Sequence, residues 1–99
     1  MRVTLLHVAD CPNLSLARYR ITTAITRTGL DVAVDERLIE DAAAAEQAGF
    51  TGSPTVLLDG VDPFASPGTT TSLSCRLYPS DSGHQGAPTV DALVEALRR

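Results

Sequence analysis

Ninety-nine residues, 43% of them apolar and 20% charged, make one small domain with a single core and argue against an unfolded chain. A net charge of −4 makes nucleic acid and anionic membrane unexpected partners. All eight cationic side chains are arginine, so lysine chemistry, whether a Schiff base or a phosphate-loop ammonium, is excluded.

Residues 3–9, Val3-Thr4-Leu5-Leu6-His7-Val8-Ala9, form an apolar, strand-like run. It leads into Asp10-Cys11-Pro12-Asn13, with proline where a helix would begin. Proline costs nothing at a first helical position, because its missing N–H would be unpaired there. Leu14, Ala17, Ile21, Ala24, Ile25 and Thr28 then recur at spacings of three and four, which predicts a helix with one buried face. Gly29 is placed to end it in the left-handed conformation. Leu30, Val32 and Val34 alternate with Asp31, Ala33 and Asp35, the period-two pattern of a strand. A short alanine-rich helix is expected over residues 40–48, closed by Gly49.

Pro54 opens a short apolar strand, residues 55–58, that ends at the turn signal Asp59-Gly60. Residues 61–72 are rich in Pro, Gly, Ser and Thr, an irregular excursion of the length that often carries function. Leu73-Ser74-Cys75-Arg76-Leu77-Tyr78 alternates again and is expected to pair antiparallel with residues 55–59. Residues 79–88 read as a polar loop. Thr89 caps a last helix whose apolar face is Val90, Leu93, Val94 and Leu97.

Cys11 draws attention because a strand that hands a thiol to the start of a helix sets sulfur near free N–H groups and the positive end of the helix dipole. That setting favours thiolate. Asp10 beside it works in the opposite sense, and the bland reading is a small buried hydrophobe. Cys75 is in phase with Leu73 and Leu77, so it reads first as a core-facing strand residue. Its second reading is a thiol that pairs reversibly with Cys11, which requires Cα atoms within about 7 Å. His7 reads as a packed or edge-strand residue and His84 as a solvated loop residue. No zinc-ligand spacing occurs, so neither a metal nor a bound cofactor is expected. No apolar run approaches the roughly 20 residues that span a bilayer. With no cleavable leader pattern, a cytoplasmic location and free thiols follow as expectations.

The order strand–helix–strand–helix–strand–strand–helix, with Cys11-Pro12 after the first strand and Gly52-Ser53-Pro54-Thr55 before the third, resembles the thioredoxin-like family. The two motifs stand 43 residues apart, at positions 11 and 54. The resemblance implies one α/β domain over residues 1–99 with a four-stranded mixed sheet, the first and last helices on one face and the second on the other. It implies Cys11 as the reactive group, Cys75 as a possible resolving thiol, and Pro12, Ser53, Pro54 and Thr55 as the substrate site. There a cis-Pro54 would lie beside the cysteine and pair with an extended peptide.

Two departures narrow the family's chemistry. Leu14 stands where a dithiol enzyme has its second cysteine, and residues 81–86 lack the glycine pair of a glutathione site. Gly52-Ser53-Pro54-Thr55 together with residues 73–78 is also similar to small bacterial thioredoxin-like proteins labelled as related to organomercurial lyases. That similarity implies Cys11 and Cys75 gripping a soft metal while Asp10 delivers a proton. The expectation carried forward is a cytosolic monothiol redox protein that meets a protein or small-molecule thiol or disulfide. The alternatives are soft-metal thiol chemistry and a non-catalytic binding module that uses the Pro54 edge or residues 61–72. The oligomeric state is left open.

Overall fold

The computed structural model describes residues 1–65, 72–81 and 83–99. The elements in chain order are β1 (Arg2–His7), α1 (Leu14–Thr28), β2 (Ala33–Leu38), α2 (Ala42–Ala48), β3 (Thr51–Ser53), β4 (Thr55–Leu58), β5 (Ser72–Cys75), β6 (Tyr78–Ser80), β7 (Gly83–Gln85) and α3 (Val90–Leu97).

β1 is the axis of the fold. β2 runs parallel along one side of it, from Arg2↔Ala33 to His7↔Leu38, and β4 runs antiparallel along the other, from Val3↔Leu58 to Leu6↔Thr55. Side chains alternate across the sheet, so β1 feeds two apolar layers. Val3 and Leu5 join Val56 and pack with Ala17, Ile21 and Ala24 of α1 and Leu93 and Leu97 of α3. Leu6 points the other way, onto Ile39, Ala45 and Phe50, where α2 closes the second layer. Fully burying a leucine such as Leu5 or Leu6 contributes about 1.5–3 kcal/mol, so β1 anchors both layers.

Helix α1 has the bounds its periodicity predicts and stops at Gly29, in the left-handed conformation with φ 68°. Helix α2 starts two residues later than expected because the Asp41 side chain caps it, accepting from Ala44 N. Asp59 and Gly60, both with positive φ, make the tight turn after β4, and Leu58 and Val61 exchange backbone hydrogen bonds across it. Thr89 caps α3 by accepting from Ala92 N.

Three expectations are corrected. The main sheet has three strands, in the order β2-β1-β4, rather than four. The segment expected as its fourth strand does not pair antiparallel with residues 55–59; β5 instead runs parallel to β3, with Thr51↔Ser72 and Ser53↔Cys75. The chain turns at Ser53-Pro54, so β3 and β4 belong to different ladders, and β5 takes the first of them. Residues 79–88 are not all loop: β6 and β7 form a small antiparallel hairpin. Of the 61–72 excursion, residues 66–71 lie outside the described residues.

Candidate functional site

The site grows from the C-terminal end of β1. After His7 the chain passes through Val8 and a turn in which Asp10 takes a positive φ of 56°. Cys11 follows, half-buried and a free thiol. The Cys11 carbonyl accepts from Leu14 N at 3.3 Å, and the Asn13 carbonyl accepts the first helical bond, from Ala17 N at 3.0 Å. Asn13 is therefore the N-cap and Leu14 the first helical residue. Pro12 is exposed one position ahead of the cap rather than at the first helical position, because the Cys11–Leu14 turn uses up the residues in between. The Asn13 side chain makes no capping hydrogen bond and the first turn of α1 holds no acidic residue.

The second wall is Ser53-Pro54-Thr55, buried throughout and joined by a cis Ser53–Pro54 peptide. Its polar groups are engaged within the chain. Ser53 Oγ accepts from Val8 N at 3.2 Å, and the Ser53 carbonyl accepts from Arg76 N at 3.0 Å. Thr55 Oγ1 donates to the Gly52 carbonyl at 2.6 Å and accepts from Thr51 N at 3.2 Å. The Pro54 carbonyl accepts from the Tyr78 hydroxyl. Ser53, Pro54 and Thr55 thus brace the turn, and the backbone edge that the resemblance assigned to a substrate peptide is covered by residues 75–78.

Cys75 sits opposite Ser53 in the β3–β5 ladder and is exposed. Its apolar neighbours in phase, Leu73 and Leu77, are exposed as well, so the reading of Cys75 as a core residue is overturned. The buried parity belongs to Arg76 and Tyr78. Arg76 Nη1 lies 2.6 Å from Asp62 Oδ2 and 2.7 Å from Thr51 Oγ1, and Nη2 donates to the Phe64 carbonyl at 2.8 Å. The guanidinium carbon lies 4.6 Å above the centre of the Tyr78 ring, and that ring meets Phe64 edge to face. Burial pushes the Tyr78 hydroxyl well above the ordinary tyrosine range; Arg76 pulls it back and Asp62 pushes it further. Gly52 is part of the same packing. With φ 127°, it leaves room for Arg76, whose Cβ would lie 2.7 Å from a Cβ at position 52.

A third wall comes from residues 85–88. Arg20 of α1 holds them, Nη1 donating to the carbonyls of Ala87 and Pro88 and Nη2 to Gln85 Oε1. Gly86 abuts the Asn13 side chain so closely that a Cβ there would overlap it. Beside the turn, an open groove of about 420 Å³ is lined by Val8, Ala9, Leu38, Ile39, Glu40 and Leu73.

Val8 N, just past the end of β1, thus ties to Ser53, and Ser53 faces Cys75 in the β3–β5 ladder; Cys11 and Pro12 follow on the turn between Val8 and α1. Sequence reasoning missed Asp62, Arg76 and Tyr78. The signal available was the shared parity of Arg76 and Tyr78, which the more apolar parity of Leu73 and Leu77 obscured. Among the described residues no three His, Cys, Asp or Glu side chains gather as a metal site, and no helix is long and apolar enough to cross a membrane. Compared with known proteins, the chain matches no family model, no curated protein and no solved structure.

Proposed function

We propose that this chain is a cytosolic thioredoxin-like protein whose Cys11 carries out single-thiol exchange with small disulfides. The observation that carries the reading is the placement of Cys11: a half-buried free thiol on the turn between the central strand and the start of α1, whose first turn holds no acidic residue.

The Cys11 thiolate attacks one sulfur of a disulfide RS–SR′. A Cys11–S–SR bond forms, the S–S bond breaks, and R′S⁻ leaves. A second thiolate then attacks the R sulfur, forming a new disulfide with R and returning Cys11 as thiolate. With Leu14 in the position of a second active-site cysteine, that thiol comes from solution.

A small substrate fits better than an extended peptide. The Ser53 and Pro54 carbonyls are already engaged by Arg76 and Tyr78, while the groove at Val8 and Ala9 offers an apolar wall beside the turn. The test is turnover of a small disulfide with excess thiol donor. Cys11→Ser is expected to fall to the uncatalysed background, and Cys75→Ser to keep turnover when the external thiol resolves the adduct. Undiminished turnover in Cys11→Ser would end this reading.

A further inference from the structure

We propose that a second copy of this chain pairs antiparallel along the edge of β2 that meets no strand among the described residues, with Glu36 facing Glu36 across a two-fold axis. β2 is an outer strand of its sheet and carries two half-exposed apolar side chains, Val34 at 49% and Leu38 at 47%. A strand edge with open N–H and C=O groups is a template for another strand. Short, charged edges such as this one usually discourage such pairing, so the argument turns on where the charges fall.

Backbone direction restricts the register. Ala33 N donates to the Met1 carbonyl and Ile39 N to the His7 carbonyl, so residues 33, 35, 37 and 39 turn their hydrogen-bonding groups toward β1. Val34, Glu36 and Leu38 turn theirs outward. An antiparallel partner must therefore match even positions with even positions.

Among those registers, the one centred on Asp35 sets Asp35 against Asp35 and Val34 against Glu36, which is unfavourable on both faces. The register centred on Glu36 sets Val34 against Leu38 of the second copy and Asp35 against its Arg37. Arg37 is exposed, and it makes no ion pair or hydrogen bond among the described residues. The central Glu36 pair is neutralised within each copy, because Arg18 holds both carboxylate oxygens at 2.6 and 2.7 Å. Val34, Glu36 and Leu38 would each give and accept one inter-chain hydrogen bond, and two three-stranded sheets would become one continuous six-stranded sheet.

The pairing is self-complementary, as a two-fold interface requires. Reversing one charge places like charges opposite each other at both symmetry-related positions. Arg37→Asp is expected to raise the dimer dissociation constant at least about tenfold, and adding Asp35→Arg to restore pairing with the charges exchanged. Sedimentation equilibrium of the full chain reads the constant. Amide exchange reads the register, since Val34, Glu36 and Leu38 should be protected in the dimer and released by Arg37→Asp. Where exchanging Asp35 disturbs the monomer through its contacts with Arg2 and Thr4, Val34→Lys on the exposed face serves as the second variant and should also dissociate the dimer. A chain that stays monomeric, or a dimer that neither Arg37→Asp nor Val34→Lys weakens, overturns the proposal.

Discussion

Removing the carboxylate of Asp62 is expected to be among the costliest single changes in this molecule. The Asp62 and Arg76 side chains are each only 10% exposed and meet at 2.6 Å. Asp62 also accepts from Phe64 N at 2.8 Å and from Thr51 Oγ1 at 3.3 Å, so it fastens residues 62–64 and β5 to β3. In Asp62→Ala the guanidinium keeps Thr51 and the Phe64 carbonyl but loses its counter-charge in a site with little water. Breaking a buried pair in this way costs about 3–5 kcal/mol, against about 0–1 kcal/mol for an exposed one. For a domain of this size each kcal/mol moves the melting temperature by about 4–8 °C, so a fall of at least about 12 °C is expected. Thermal and urea unfolding followed by circular dichroism measure it. The double variant Asp62→Leu with Arg76→Met, which removes both charges, should lose less than Asp62→Ala alone. A loss below about 1 kcal/mol in Asp62→Ala would refute the reasoning, because the pair would then behave as a solvated one.

Gly52→Ala should destabilise the fold by about 1–3 kcal/mol from its positive φ alone, and by more because its Cβ meets backbone-proximal atoms of Arg76; urea unfolding that matched the parent would contradict that packing. The raised hydroxyl of Tyr78 makes a signed pH prediction. Its folded-state value exceeds the unfolded one, so its contribution is complete below about pH 10 and is lost as pH rises above that, when only the unfolded chain ionises. In a Tyr19→Phe background, phenolate absorbance should be withheld beyond the ordinary tyrosine range until the chain unfolds. Ionisation of the folded protein near pH 10 would count against the buried placement.

Much of the fold is legible in the sequence because burial writes itself into periodicity. Helix α1, with Ala17, Ile21 and Ala24 inward, and strand β4 emerge with their observed bounds. β2 is shifted from its apolar alternation to Ala33–Leu38 for a physical reason: an outer strand needs no continuous buried face. It is held instead by polar bonds, Thr4 to Asp35 and Arg18 to Glu36. The β3–β5 pairing was hidden for a different reason, since the residue that fixes it is an arginine. Its apolar stem and ring contact with Tyr78 bury it without an apolar signature. The candidate thiol was visible as a type and a place. The bracing of Ser53–Thr55, with the Ser53 and Pro54 carbonyls engaged by Arg76 N and the Tyr78 hydroxyl, depends on contacts between distant positions that no local pattern encodes.

The most direct test of the proposed chemistry compares the rate at which Cys11 forms a mixed disulfide in the folded protein and in the urea-unfolded chain. It is best done at one pH in a Cys75→Ser background, with the adduct read by intact mass. The proposed exchange predicts that the folded protein reacts faster, because the fold sets Cys11 on the turn ahead of α1, beside an open groove that admits a small disulfide. A folded protein that reacts no faster than the unfolded chain would contradict it, and Cys11 would then be a shielded thiol in a scaffold that serves another purpose.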